Sequence, residues 1–241
     1  VAVSGSKVTA PVTCQVEVDC GGAATGAGGA EVGGNANTID LIAQGADQNL
    51  IMAGNVTAAG GDGNGATDGD NEDVTLTAAD GSVTQVNGTL LVTGNDIAIT
   101  AEEGIFHTAD ADGNRLRLDT VDKVSGGDAG AISATNDTNN DNTNARGMRV
   151  EEVNGNLTIG AQFVNNADDG DIEIATTAGS LTVAANVTAD GDGDVTLSAG
   201  GANDLTIDTA ITVGTDNGDI DLRSGQDVIF TGTAVVNADV D

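Results

Sequence analysis

Asp190-Gly191-Asp192-Gly193-Asp194 sets three carboxylates one residue apart on a backbone loosened by glycine. Hard oxygen ligands on a flexible loop suit Ca²⁺. Similar acidic loops recur along the chain, with Asp62, Asp68, Asp70 and Asp73 in one, Asp168, Asp169 and Asp171 in another, and Asp216 and Asp219 in a third. These twelve aspartates are the candidate Ca²⁺ ligands. None of the loops completes an EF-hand, and residues 60–64 match only the start of a Ca²⁺-binding nonapeptide, so a solvated acidic surface is the competing reading.

Other chemistry is sparse. His107 lies near Glu102, Glu103, Asp110 and Asp112, but it is the only histidine, and a lone His on a strand is more often structural than a metal ligand. Arg115, Arg117, Arg146 and Arg149 are the only basic clusters. A lyase acting on acidic polysaccharide would need more cations and aromatic platforms for sugar rings, and no Ser/His/Asp or Cys/His set is evident. No catalytic residues are expected. Cys14 and Cys20 lie on one face of the alternating run 12–20. On a straight strand they are ~20 Å apart, so they can join each other only if the chain folds back. The alternatives are a bond to a neighbouring chain or two small buried hydrophobes.

The composition narrows the partners. The 241 residues hold 7 Lys plus Arg against 38 Asp plus Glu, a net charge of −31. Such a chain repels phosphate backbones and anionic lipid surfaces, so nucleic acid and membrane-surface binding are not expected. No stretch approaches the ~18–20 apolar residues of a membrane span, and the first residues lack a signal-peptide layout. A soluble, already processed chain is the expectation. Aspartate outnumbers glutamate 30 to 8 beside 36 Gly and 1 Pro, which favours turns over helices.

What must position the acidic loops is a repeat. Short period-2 runs such as 194–197, 204–207 and 210–213 are separated by Gly, Asn and Asp. Their inward residues form three series: Ile172, Val195, Ile220; Leu157, Leu181, Leu205, Val228; and Val164, Val187, Ile211, Val235. Steps within them are 23 to 25 residues. The first series extends back through Met148, Val124, Ile97, Val74 and Ile39, with an insertion at residues 60–73 and an Asn/Asp/Thr tract at 136–144. Three short strands per ~24 residues predict an all-β fold, a parallel β-helix solenoid of about eight coils, ~40 Å long. The expected organisation is an N-terminal strand segment over 1–20, a Gly-rich linker over 21–37 and the β-helix over 38–241. Outward Thr158, Thr182 and Thr206, and Thr188 and Thr212, would form Thr ladders, because Thr is a favoured outward residue of strands.

The runs Gly170-Asp171-Ile172-Glu173-Ile174, Gly193-Asp194-Val195-Thr196-Leu197 and Gly218-Asp219-Ile220-Asp221-Leu222, each followed by a Leu-Thr-Ile-like strand, resemble the repeats of filamentous-haemagglutinin-type adhesins. The resemblance covers roughly residues 38–236 and implies a right-handed β-helix at the cell surface or in an extracellular fibre or adhesin. The open ends of a β-helix need covering, and no amphipathic helix is evident at either end. Head-to-tail self-association is therefore expected, with Val1, Val3, Val12, Val16 and Val18 as a donated strand and Val228, Val235 and Val236 receiving it. Possible Ca²⁺ stabilisation belongs to this reading. The alternative is an adhesin segment that binds host or biofilm surfaces, glycans or matrix through the loops at 60–73 and 136–144.

Overall fold

The computed structural model describes residues 13–14, 38–44, 48–58, 73–108, 111, 113–120, 131–136, 147–167 and 169–238. Alternation decides the local structure: in Val74-Thr75-Leu76-Thr77-Ala78 the first, third and fifth residues are buried and the threonines between them are not. With so short a run, no strand can bury its inner face alone. Stacking of successive coils does this, and every described strand pair is parallel, all but one running without a shift of register. The described residues thus form an all-β, parallel β-solenoid without helices.

The N-terminal coils share one plan. The first described strand, β1 (Thr13–Cys14), is followed by β2 (Ile39–Ala43), β3 (Leu50–Met52) and β4 (Val56–Thr57). The next coil consists of β5 (Val74–Ala78), β6 (Ser82–Gln85) and β7 (Val92–Gly94), and the third of β8 (Ile97–Ala101), β9 (Gly104–His107) and β10 (Leu116–Thr120). The long strands β2, β5 and β8 stack in one sheet, called sheet I, while the strands that follow each of them stack in sheet II. β1 adds to the outer side of β3, pairing Thr13 with Ile51 and Cys14 with Met52.

The plan then inverts. β11 (Ala131–Asn136) continues sheet I above β8, but the following β12 (Met148–Glu152) is a single strand that stacks on both β9 and β10 in sheet II. β13 (Leu157–Asn165) returns to sheet I and spans nine residues. Its two ends pair with β11 across a register shift, which leaves residues 160–162 bulging into solvent. From here the long strand of each coil lies in sheet II and the two short ones lie in sheet I. These coils are β14 (Ile172–Thr176), β15 (Leu181–Val183) and β16 (Val187–Ala189), then β17 (Val195–Ala199), β18 (Leu205–Ile207) and β19 (Thr212–Thr215), then β20 (Ile220–Ser224), β21 (Val228–Phe230) and β22 (Val235–Asn237).

Six described turns therefore carry all three strands, slightly fewer than the eight expected, because the three strands β11, β12 and β13 form a crossover in the middle instead of full coils. The crossover also corrects the first sequence series. Ile39, Val74 and Ile97 are stacked in sheet I and continue into Ile132, whereas Met148, Ile172, Val195 and Ile220 are stacked in sheet II. The second series holds throughout. In the third, the stacked residues are Phe163, Val187, Val213 and Val236 rather than Val164, Ile211 and Val235, because β19 begins beyond the turn at Thr209-Ala210. Thr188 accordingly lies beside Gly214, while Thr158, Thr182 and Thr206 do align.

One aliphatic core runs through the coils, with Leu76, Ile105, Leu118, Ile159, Leu181 and Leu205 fully buried. Each such side chain contributes about 1.5–3 kcal/mol of burial. Corners stack as closely as the strands do: a Cβ on Gly179 would run into the carbonyl oxygen of Gly155 one coil below. Glycine is required there for space.

Candidate functional site

The acidic edge is built by the residue just before each long strand. Asp171 Oδ1 accepts the backbone N–H of Asp194 at 3.1 Å, and Asp194 Oδ1 accepts that of Asp219 at 2.7 Å. Asp73 does the same for Asp96 at 3.4 Å, and Asp96 for Ala131 at 3.0 Å. At the short-strand corners Asn55, Asn156 and Asn186 accept from Leu91, Ser180 and Thr212 in the next coil. These side chains tie coil to coil where the backbone ladder turns the corner, which is the physical reason the acids recur.

Of the candidate Ca²⁺ ligands, Asp169 and Asp192 are exposed, and Asp62, Asp68, Asp70 and Asp168 lie outside the described residues. Among the described residues no three carboxylates converge on one point. Two do meet: Asp216 is hydrogen-bonded to Asp190 one coil below, and this contact, with some desolvation and the neighbouring charge, raises its carboxyl above the ordinary range. The pair offers two side chains where Ca²⁺ takes six to eight oxygens, so water would fill most of a Ca²⁺ shell there.

The crossover holds the charged interior. Arg149 is almost fully buried between Asp171, at 2.9 Å, and Glu173, at 3.2 Å. Arg115 also pairs with Glu173, and both Arg115 and Arg117 reach Glu151 at 3.8 Å. Burial would raise the Glu173 carboxyl, but the Gly113 N–H and the two guanidiniums outweigh it and hold it below the usual range. Arg115, Arg117 and Arg149 are thus partners for acids of neighbouring coils, while Arg146 lies outside the described residues. His107 lies against Gly88 and shares no cluster of three metal-ligating side chains among the described residues.

Three inward polar residues escaped the sequence reading. Glu152 is fully buried and accepts the N–H and Oγ1–H of Thr120, both at 2.8 Å, and the N–H of Asn154 at 3.0 Å. Burial pushes its carboxyl up to about 7 against these hydrogen bonds, with Asp119 adding to the rise. Asn136 donates to Asn165 at 2.9 Å, and Asn165 donates to the Gly170 carbonyl at 2.7 Å. The available signal was parity, since Glu152 falls two residues after the inward Val150.

The remaining feature is the last described coil. Among the described residues β20, β21 and β22 each pair on one side only, with β17, β18 and β19. Phe230 stacks on Ile207, which is fully buried, yet Phe230 itself is 52 % exposed. Val228, Ile229, Val235 and Val236 are exposed beside it at 37–47 %. Apolar side chains and strand edges without a described partner thus coincide on the last described coil, where a further parallel coil would fit. The expected donor residues Val1, Val3, Val12, Val16 and Val18 lie outside the described residues, as does Cys20. Within that segment β1, with Cys14 beside Met52, pairs with its own chain. No helix among the described residues is long and apolar enough to cross a membrane. Compared with known protein families, curated proteins and solved structures, the chain matches none of them.

Proposed function

We propose that the chain is a structural segment of an extracellular fibre, joined head to tail with further copies of itself. The observation that carries this reading is the last described coil, whose three strands each pair on one side only among the described residues while its ladder residues Val228, Phe230 and Val236 are exposed. An added parallel coil supplies hydrogen bonds to those edges and removes the apolar side chains from water. Several charged groups, Asp171, Asp194 and Arg149 among them, serve the stacking of coils, which suits a structural role. Ca²⁺ enters the proposal as a weak, largely hydrated ligand of Asp190 and Asp216 that would strengthen the rod without forming the joint.

Imaging the purified chain by negative-stain electron microscopy, in millimolar Ca²⁺ and after chelation, tests the reading. Long fibres are expected under both conditions, and Phe230→Asp, which places a carboxylate in the joint, is expected to leave short rods. Short rods from the unaltered chain would overturn it.

A further inference from the structure

Among the described strands of sheet II, β12 alone joins the two halves of the solenoid. It pairs with β9 and β10 on one side and with β14 on the other. In sheet I the link is β11 on β13, fastened inside by the neutral pair Asn136 and Asn165. The inner end of β12 is closed by Glu152, which reaches down to the end of β10. One coil later the facing residue is Thr176, whose hydroxyl oxygen accepts the N–H of Gly200 at 2.9 Å. A corner acceptor therefore has no need to be ionisable.

The carboxyl of Glu152 is fully buried, and its hydrogen-bond partners are neutral: the N–H and hydroxyl of Thr120 and the N–H of Asn154. Charged groups on the surrounding strands do not compensate it. From β10, Asp119 adds a charge of the same sign, and β14 presents the uncharged Thr176. On β12 itself, Glu151 is paired with Arg115 and Arg117, and Arg149 with Asp171 and Glu173. His107, on β9, lies against Gly88. Burial without a cation favours the protonated carboxyl, which is held up to about 7. Loss of the proton to water leaves an ion that only water can solvate fully, and the corner must open to admit it.

We infer that the crossover carries a proton-operated latch: protonated Glu152 holds the end of β12 on β10, and loss of its proton releases this corner locally while β11 and β13 keep the two halves joined. The latch is independent of the fibre reading. An open corner returns the carboxyl to its ordinary value of 4.5, so the closed form is favoured on the acid side and opening grows as the pH rises through about 7. From about pH 6 to about pH 8 the opening equilibrium gains about tenfold.

Hydrogen exchange of the full chain, followed by NMR and corrected for intrinsic rates, tests this residue by residue. Protection of the Thr120, Val153 and Asn154 amides is expected to fall about tenfold over that range, and to be lower than that of Leu181 and Val195. Low urea is expected to leave the three corner amides unchanged while it speeds the other two, because a local opening exposes little surface. In Glu152→Gln, whose amide imitates the neutral carboxyl, the fall with pH is expected to vanish. Corner amides that respond to urea as steeply as Leu181 would overturn the latch, since only global unfolding would then expose them. The same fall in the variant would also overturn it, by placing the titration elsewhere. If the variant does not fold, the pH and urea dependence of the unaltered chain, read beside the NMR titration of the Glu152 carboxyl carbon, decides.

Discussion

At the scale of single residues, the solenoid tolerates buried polar groups only where each has a task in joining coils. Glu152 closes the corner after β12 by accepting three hydrogen bonds, the position that Thr176 fills one coil later. Because burial raises its folded carboxyl to about 7 from 4.5, the folded protein holds this proton more tightly than the unfolded chain does. The resulting stability is fully present below about pH 4.5 and is lost as the pH rises through about 7. We expect the thermal midpoint to rise between pH 8 and pH 6, by an amount equivalent to about 1 kcal/mol. Glu152→Gln should flatten that slope. Thermal unfolding of both proteins across this pH range checks the expectation, and an unchanged slope in the variant would assign the effect elsewhere.

At the scale of the element, a strand here is too short to persist alone, so its ends matter as much as its face. The aspartate or asparagine before a strand accepts an N–H from the coil above, as Asp194 does from Asp219. This also accounts for several Asn-X-Thr triplets: Asn55, Asn156 and Asn186 are corner acceptors, the next residue points inward, and the Thr points outward. Asp194→Ala should cost about 1 kcal/mol, while Asp194→Asn, which keeps the acceptor, should cost less than ~0.5 kcal/mol. Denaturant titration of the two variants distinguishes a corner bond from a mere surface charge, for which both would behave alike.

At the scale of the whole molecule, two forces would oppose each other at the proposed joint between copies. Apolar ladder residues and free edges favour association, and 31 net negative charges per chain oppose it. Screening weakens the second without touching the first, since the Debye length falls from ~10 Å at 0.1 M salt to ~3 Å at 1 M. Fibre elongation is therefore expected to accelerate several-fold as NaCl rises from 0.05 to 0.5 M, values on the order of those where screening takes hold. Light scattering measures this directly, and slower elongation in salt would point to a joint held by ion pairs.

The sequence by itself determined the fold class, because period-2 alternation and a step near 24 residues are local and additive properties. Val74-Thr75-Leu76-Thr77-Ala78 can bury its inner face only by stacking, and Leu157, Leu181, Leu205 and Val228 announce the stack on which they sit. The acidic loops were legible as a recurring feature, but their task was not: a carboxylate ready for Ca²⁺ and one that accepts the next coil's N–H have the same sequence signature. Only the tertiary structure decided where the long and short strands exchange sheets. Met148 lies 24 residues after Val124 and so fits the series by spacing, yet it stacks on Ile105, 43 residues before it, beside Arg149, Glu152 and Glu173 with their partners from other coils. Partners that lie 24 to 58 residues apart in the chain leave no mark in local periodicity. The exposure of Phe230 belongs to the same class, since its inward parity is visible in sequence while the absence of a described strand beyond β21 is a fact of the stack.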